Sequence, residues 1–175
     1  MPEPFRWRLR VYWEDTDAGG VVFYANHLKF FERARTEWLR SLGHEQEALR
    51  RDHGTLFVVS ETALRYLRPA RLDDLLDVTV EVLESRGASM RLAQQAWRVE
   101  RSHIDDSQNA RSLTPTRSQR ESEKTAGFAV ANSGESRIDA GTPVLLAEGT
   151  IRIGCVAAGT FAPRRIPKDL LNATR

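Results

Sequence analysis

A single long helix pattern, residues 26–42, places the tightest limit on how this chain folds. Its apolar side chains recur at the three- and four-residue spacing of one buried helix face. Charged residues such as Arg33 and Arg40 fall largely on the opposite side. The pattern predicts Asn26 as the N-cap and Gly43 as the stop. The apolar positions are Leu28, Phe30, Phe31, Ala34, Trp38, Leu39 and Leu42. A face this bulky has to be covered by other elements.

Runs of alternating apolar residues predict the strands that cover this helix. A turn at 69–74 and another at 86–88 separate neighbouring runs. The predicted fold class is therefore α+β, with about five antiparallel strands wrapped around one long helix. The runs are residues 5–14, 56–67, 76–82, 90–96 and 144–157, and a short helix is predicted over 45–52.

Composition limits the compartment and the class of partner. The 175 residues suit one domain, and no apolar run reaches the length of a membrane helix. The N-terminus has no secretory-signal pattern, and the one cysteine, Cys155, fits a reducing, cytoplasmic compartment. It lies in a strand pattern, where a core position is favoured over a nucleophile. A net charge of +2 gives little support for nucleic-acid binding.

Residues 101–143 interrupt the strand pattern. They are rich in Ser, Arg, Thr and Gly and contain almost no apolar period. Basic and acidic residues balance there, which argues against a basic nucleic-acid arm. We predict a flexible, largely disordered insertion at 102–142 between two strands, with protein binding as the alternative role.

An acidic loop before the helix combines two groups that thioester hydrolysis requires. Asp15 and Asp17 supply carboxylates, and Gly19 and Gly20 allow the backbone to approach a ligand closely. The helix N-terminus that follows offers unpaired N–H groups. Such donors stabilise an oxyanion, and a carboxylate activates water or attacks directly. The alternative is that both aspartates only form turns and caps.

Two stretches of this region resemble a known family. Residues 11–26, VYWEDTDAGGVVFYAN, and residues 31–37, FERARTE, are similar to the hotdog-fold acyl-CoA thioesterases. Specifically, they resemble the branch associated with the bacterial Tol–Pal cell-envelope system, which is related to 4-hydroxybenzoyl-CoA thioesterase. The resemblance covers residues 5–100 and resumes at about 144–172. It implies one hotdog domain over 1–175, interrupted by the insertion.

The resemblance also implies roles for residues. Asp17 matches the catalytic carboxylate, and the backbone N–H of Tyr24 matches the oxyanion donor. Some family members have a histidine at the position of Tyr24, so the role of the Tyr24 side chain stays open. The implied substrate is an acyl-CoA or an acyl carrier protein thioester. Substrate contacts are expected along the same stretch, from Gly19, Gly20, Val22, Asn26 and His27.

Other consequences of the resemblance concern assembly and alternatives. Hotdog proteins pair their sheets edge to edge, which predicts a homodimer or homotetramer, with weak association to inner-membrane or phospholipid-synthesis proteins as a further expectation. A non-catalytic acyl-binding partner is the alternative function, and a hydratase or dehydratase is a weaker one. The four histidines lack metal-ligand spacing, and neither a metal nor a cofactor is predicted.

Two basic stretches have two interpretations. Arg6, Arg8 and Arg10 alternate along the first strand, and residues 163–168 form a basic, proline-spaced segment. Either stretch fits contact with the phosphates of coenzyme A. Either also fits a solvated surface.

Overall fold

A computed structural model of the chain describes residues 3–99, 142–167 and 170. Its five strands form one antiparallel sheet in the order β1-β3-β4-β5-β2. The α+β architecture predicted from the sequence is confirmed. The elements are β1 (Phe5–Arg10), α1 (Asn26–Ser41), α2 (Gln46–His53), β2 (Thr55–Tyr66), β3 (Leu75–Arg86), β4 (Ser89–Val99) and β5 (Val144–Ala157). All of the predicted insertion except Thr142 lies outside the described residues.

Helix α1 packs against β1, β3 and β4, and its bulkiest side chains fill the core. Phe30, Phe31 and Ala34 are fully buried. Gly43 follows the helix with a φ of +83°, as the predicted stop requires. The prediction for Leu28 is wrong, because this side chain is 40% exposed. The buried stripe runs through His27, one position earlier, so the helix is rotated relative to the predicted face.

The first strand is shorter than predicted. β1 ends at Arg10, and residues Trp13–Asp15 form a turn of 3₁₀ helix. Val11 is buried as expected, but Trp13 is 79% exposed. The change from a strand to a helical turn ends the two-residue alternation, so Trp13 no longer points into the core.

The sheet curls around the helix at three irregularities in pairing, between Val59 and Glu61, between Val82 and Glu84, and between Ala96 and Trp97. β2 lies at one edge of the sheet, and α2 packs against it. Val59 and Tyr66 on this strand remain about half exposed. No helix in the described ranges is both long and apolar enough to cross a membrane.

Candidate active site

The acidic loop is a tight turn that presents the Asp17 carboxylate to solvent. The backbone N–H of Asp17 donates to the carbonyl of Val21 at 2.9 Å, and the N–H of Gly20 donates to the carbonyl of Asp17 at 3.0 Å. Gly20 has a φ of +73°, the left-handed conformation that glycine adopts freely. A Cβ on Gly19 would lie 3.1 Å from Asp17 Oδ1. The two glycines therefore have separate roles, one in the turn and one in making room for the carboxylate.

The Asp17 carboxylate makes one contact in the described part of the chain. Its Oδ1 accepts the backbone N–H of Gly19 at 2.8 Å. The residue is exposed. Most of the carboxylate's hydrogen-bonding capacity is therefore open to water or a substrate. This bond is the kind of local turn contact expected if Asp17 had only a structural role. It is equally compatible with a catalytic role.

Asp15 has a structural role. Its side chain is 2% exposed, and Oδ2 accepts the backbone N–H of Tyr12 at 2.9 Å. Its carbonyl accepts the N–H of Phe23 and the side-chain amide of Asn26, each at 2.9 Å. These bonds tie the acidic loop to the start of α1. For Asp15, the predicted turn-and-cap role is confirmed.

The prediction of Asn26 as the N-cap is wrong. The helix is capped by Ala25, with no side-chain hydrogen bond, and Asn26 is its first residue. The Asn26 side chain points instead into the buried contact with Asp15 and is 6% exposed. The bond to Asp15 satisfies a buried amide group that capping would have left near solvent. Asn26 and the buried Val22 therefore support the loop from beneath.

The start of α1 carries an unused donor. Among the described residues, the backbone N–H of Tyr24 has no hydrogen-bond acceptor. The absence of a side-chain cap leaves this end of the helix open to a negatively charged group. The carbonyl of Tyr24 accepts the hydroxyl of Tyr66 at 3.1 Å, which holds the next peptide, between Tyr24 and Ala25, from the sheet side. The Tyr24 side chain is 62% exposed.

His27 and Tyr66 lie together beneath this helix start. Their ring centroids are 5.5 Å apart, and the His27 ring is 5.9 Å from that of Phe30. His27 is 3% exposed, and its Nδ1 has no partner within the described ranges. Burial lowers the pKa of His27, so the imidazole is neutral near pH 7. The pKa of Tyr66 is raised, mainly by burial and to a smaller extent by its electrostatic interaction with Tyr24.

Sequence reasoning missed Tyr66. It is the last residue of β2, about forty positions from Tyr24, and only strand pairing brings it to the helix start. Its aromatic ring at a strand end was the one signal available. Together the structure groups Tyr24, His27 and Tyr66 around the helix start, and places Asp17, Gly19 and Gly20 on the turn that leads to it.

Each stretch considered for coenzyme A phosphates contains a basic side chain that has a partner in the described part of the chain. Arg8 forms a two-pronged ion pair with Asp77, at 2.7 and 3.0 Å. Arg164 donates to the carbonyls of His53 and Gly54. These contacts favour the structural interpretation of both stretches.

Cys155 is buried, and burial raises the pKa of its thiol, as expected of a core residue.

Comparison with known proteins identifies the family. The model of the thioesterase superfamily matches residues 19–103. Acyl-CoA thioesterase YbgC of Haemophilus influenzae is 50% identical over 94 residues, 54% of this chain and 69% of that protein. Acyl-CoA thioester hydrolase YbgC of Escherichia coli O157:H7 is 43% identical over 104 residues, 59% of this chain and 77% of that protein. The chain belongs to the thioesterase superfamily.

The fold agrees with this family. The crystal structure of Slr0204, a 1,4-dihydroxy-2-naphthoyl-CoA thioesterase from Synechocystis, superposes with a TM-score of 0.68. The superposition covers 98% of this chain and 96% of the Slr0204 chain, and the two sequences are 16% identical. The hotdog fold and the enzyme class predicted from residues 11–37 are confirmed. The family match with residues 19–103 covers α1 and ends just beyond β4.

Acid should destabilise this hotdog thioesterase through His27. Its folded-state pKa lies below the unfolded value of about 6.5, so the unfolded chain binds more protons in that interval. The contribution to stability is complete above about pH 6.5 and is lost as the pH falls toward the folded-state pKa. A His27→Phe variant should show a flatter dependence of Tm on pH between about pH 5 and 7.

The control for this measurement is His53→Phe, which replaces an exposed histidine. Its pH profile should follow that of the wild type. An unchanged profile in His27→Phe would show that His27 protonation contributes nothing to acid lability.

Proposed function

We propose that this thioesterase hydrolyses acyl-CoA thioesters, with the Tyr24 N–H polarising the thioester carbonyl and Asp17 acting on the same carbon or on water. The observation that carries the proposal is the pairing of an exposed carboxylate with an acceptor-free N–H on one loop. The names of the relatives, acyl-CoA thioester hydrolase and acyl-CoA thioesterase, support the substrate class.

The reaction needs a base or a nucleophile and a stabilised oxyanion. In one route Asp17 takes a proton from water as the water oxygen bonds to the acyl carbon. In the other, Asp17 attacks the acyl carbon, loss of the coenzyme A thiolate leaves an anhydride, and water then hydrolyses this anhydride. In both, the carbonyl oxygen becomes an oxyanion held by the Tyr24 N–H. The carbon–sulfur bond then breaks, and the coenzyme A thiolate takes a proton.

The other residues that were predicted to contact the substrate have different roles in this proposal. Gly19 and Gly20 are exposed and let a substrate approach the turn. His27 is neutral and only 3% exposed, so it acts on a bound substrate indirectly, through the Tyr66 ring that it packs against. Val22 and Asn26 are buried and act by holding the loop. Neither a metal nor a cofactor enters the scheme.

The direct test is release of free thiol from acyl-CoA substrates of short and long chain length. Hydrolysis of either by the purified protein supports the proposal, and the preferred length defines the acyl specificity. If no acyl-CoA is turned over, acyl carrier protein thioesters are the next substrates. Failure with both substrate classes would favour the non-catalytic acyl-binding alternative.

We further propose that the chain forms a homodimer or homotetramer through the β2 edge. β2 has twelve residues and exposes Val59 and Tyr66, whereas the other edge, β1, has six. A long edge strand with exposed apolar side chains invites pairing with another copy. A cytoplasmic location and an association with inner-membrane or phospholipid-synthesis proteins stay predictions.

A charge on the β2 edge should weaken this assembly. Val59→Lys places an ammonium group on a 52% exposed side chain of the edge strand. Leu83→Lys is the matched control, because Leu83 is 50% exposed but lies at the irregularity between Val82 and Glu84 on β3, a strand that does not pair with β2. Sedimentation velocity should show a shift toward monomer for Val59→Lys alone. Equal assembly of both variants would place the interface elsewhere.

A further inference from the structure

A small cavity lies beside the C-terminal half of α1, away from the acidic loop. Its volume is about 100 Å³. Its walls are largely apolar and include Trp38, Phe57, Met90 and Ile153. A cavity of ~150 Å³ accommodates benzene, so this one suits a short aliphatic group. Neither Asp17 nor Tyr24 lines it.

One positive charge lines this apolar cavity. The guanidinium of Arg35 is largely buried and donates from Nη1 to Gln94 Oε1 at 2.7 Å. Gln94 is fully buried, and its Nε2 donates to the carbonyls of Phe31 and Thr79. The amide therefore has no freedom to turn, and it fixes the guanidinium at the cavity wall.

Arg35 makes no direct ion pair in the described part of the chain. Glu32 also lines the cavity and interacts electrostatically with Arg35, but it is exposed, and its Oε1 accepts the Thr36 hydroxyl at 2.8 Å. Burial lowers the pKa of Arg35 while Glu32 raises it, and arginine stays protonated at neutral pH.

A largely buried cation with a fixed orientation is costly unless an anion neutralises it. The guanidinium presents several N–H donors, and Gln94 uses one of them. A carboxylate matches the geometry of the remaining donors. The apolar walls then suit an alkyl chain attached to that carboxylate.

We propose that the cavity binds the carboxylate end of an aliphatic chain, with Arg35 as the anion ligand and Gln94 as its positioning residue. Two sources carry this chemistry. One is a free short-chain carboxylic acid. The other is a distal carboxylate on the acyl group of the thioester, whose chain would run along α1 from the proposed active site. Arg35 lies nine residues beyond Asn26, a rise of roughly 14 Å.

Binding of sodium butyrate, measured by isothermal titration calorimetry, tests the site without any need for turnover. We expect a Kd on the order of 1 mM for the wild type. Arg35→Gln should weaken binding by at least about tenfold, because it keeps a donor for Gln94 but removes the charge. Arg33→Gln is the matched control, since Arg33 is exposed on the same helix, and should bind as the wild type does.

Uncharged n-butanol, the matched ligand control, should bind Arg35→Gln and wild type equally weakly. Absence of butyrate binding to the wild type, or equal binding by the Arg35→Gln and Arg33→Gln variants, would overturn the proposal. A wild type that binds no butyrate while Arg35→Gln weakens self-association would assign the counter-charge to a second copy instead. Matching thermal melts of the variants establish that all are folded.

The source is distinguished by hydrolysis of dodecanedioyl-CoA and dodecanoyl-CoA, and only this arm rests on the proposed function. If the acyl chain supplies the carboxylate, Arg35→Gln should lower kcat/KM about tenfold for the dicarboxylic substrate alone. If only butyrate binding depends on Arg35, the source is a free acid. A wild type that fails to hydrolyse dodecanoyl-CoA would count against the thioesterase mechanism and leave the calorimetric result standing.

Discussion

Replacing Asp17 by asparagine is expected to lower the rate of thioester hydrolysis by about 100- to 10,000-fold. The asparagine side-chain oxygen can still accept the N–H of Gly19, so the turn and the fold should survive. What disappears is a negative charge able to take a proton from water or to attack the acyl carbon. The measurement is free-thiol release for both proteins at saturating and limiting acyl-CoA.

Glu14→Gln is the control, because Glu14 is an exposed acid three residues earlier in the chain. It should retain wild-type turnover. A folded Asp17→Asn protein with near-normal turnover would remove Asp17 from the mechanism. Label found in the Asp17 carboxylate after a single turnover in ¹⁸O-labelled water would then establish the anhydride route.

The second large effect is expected at Gly149, where alanine should destabilise the fold by about 1–3 kcal/mol. A Cβ there would lie 2.6 Å from the carbonyl of Ala63 and 3.1 Å from Cγ of Leu64. Both neighbours belong to β2, which pairs with β5 at this level. A backbone carbonyl cannot rotate away as a flexible side chain can, so the two strands must separate. Thermal or urea unfolding measures the loss.

Gly154→Ala is the matched substitution on the same strand. Its Cβ would meet Cγ2 of Val58 at 3.7 Å, an ordinary contact distance. Its stability should stay within about 0.5 kcal/mol of the wild type. Equal stability of the two variants would mean that β2 can move away from β5 at little cost.

The sequence was sufficient to predict the fold class, because periodicity reports local geometry. Helix α1 and the five strands were expected within a few residues of their observed bounds. Periodicity failed where the chain changed geometry within a turn. The strand predicted over 5–14 extends the alternation of β1 through Trp13, which instead lies in a 3₁₀ turn and is exposed.

The site was partly predictable for a different reason. Asp17, Gly19 and Gly20 are adjacent in the chain, so a motif can reveal them together. The contact between Tyr24 and Tyr66 depends on β2 reaching the helix start, and no local pattern encodes it. Asn26 was assigned from its preference for helix caps, but tertiary packing with Asp15 prevailed over that preference.

The pairing of β4 with β5 has a consequence for folding kinetics. Arg98 pairs with Val144, so the sheet brings together two positions separated by the long segment 100–143. Closing such a loop costs about 2 kcal/mol more than closing a five-residue hairpin, because the entropy grows with the logarithm of length. The hairpin of β3 and β4 meets no such barrier. The central strands should therefore form early, with β5 joining late and bringing β2 with it.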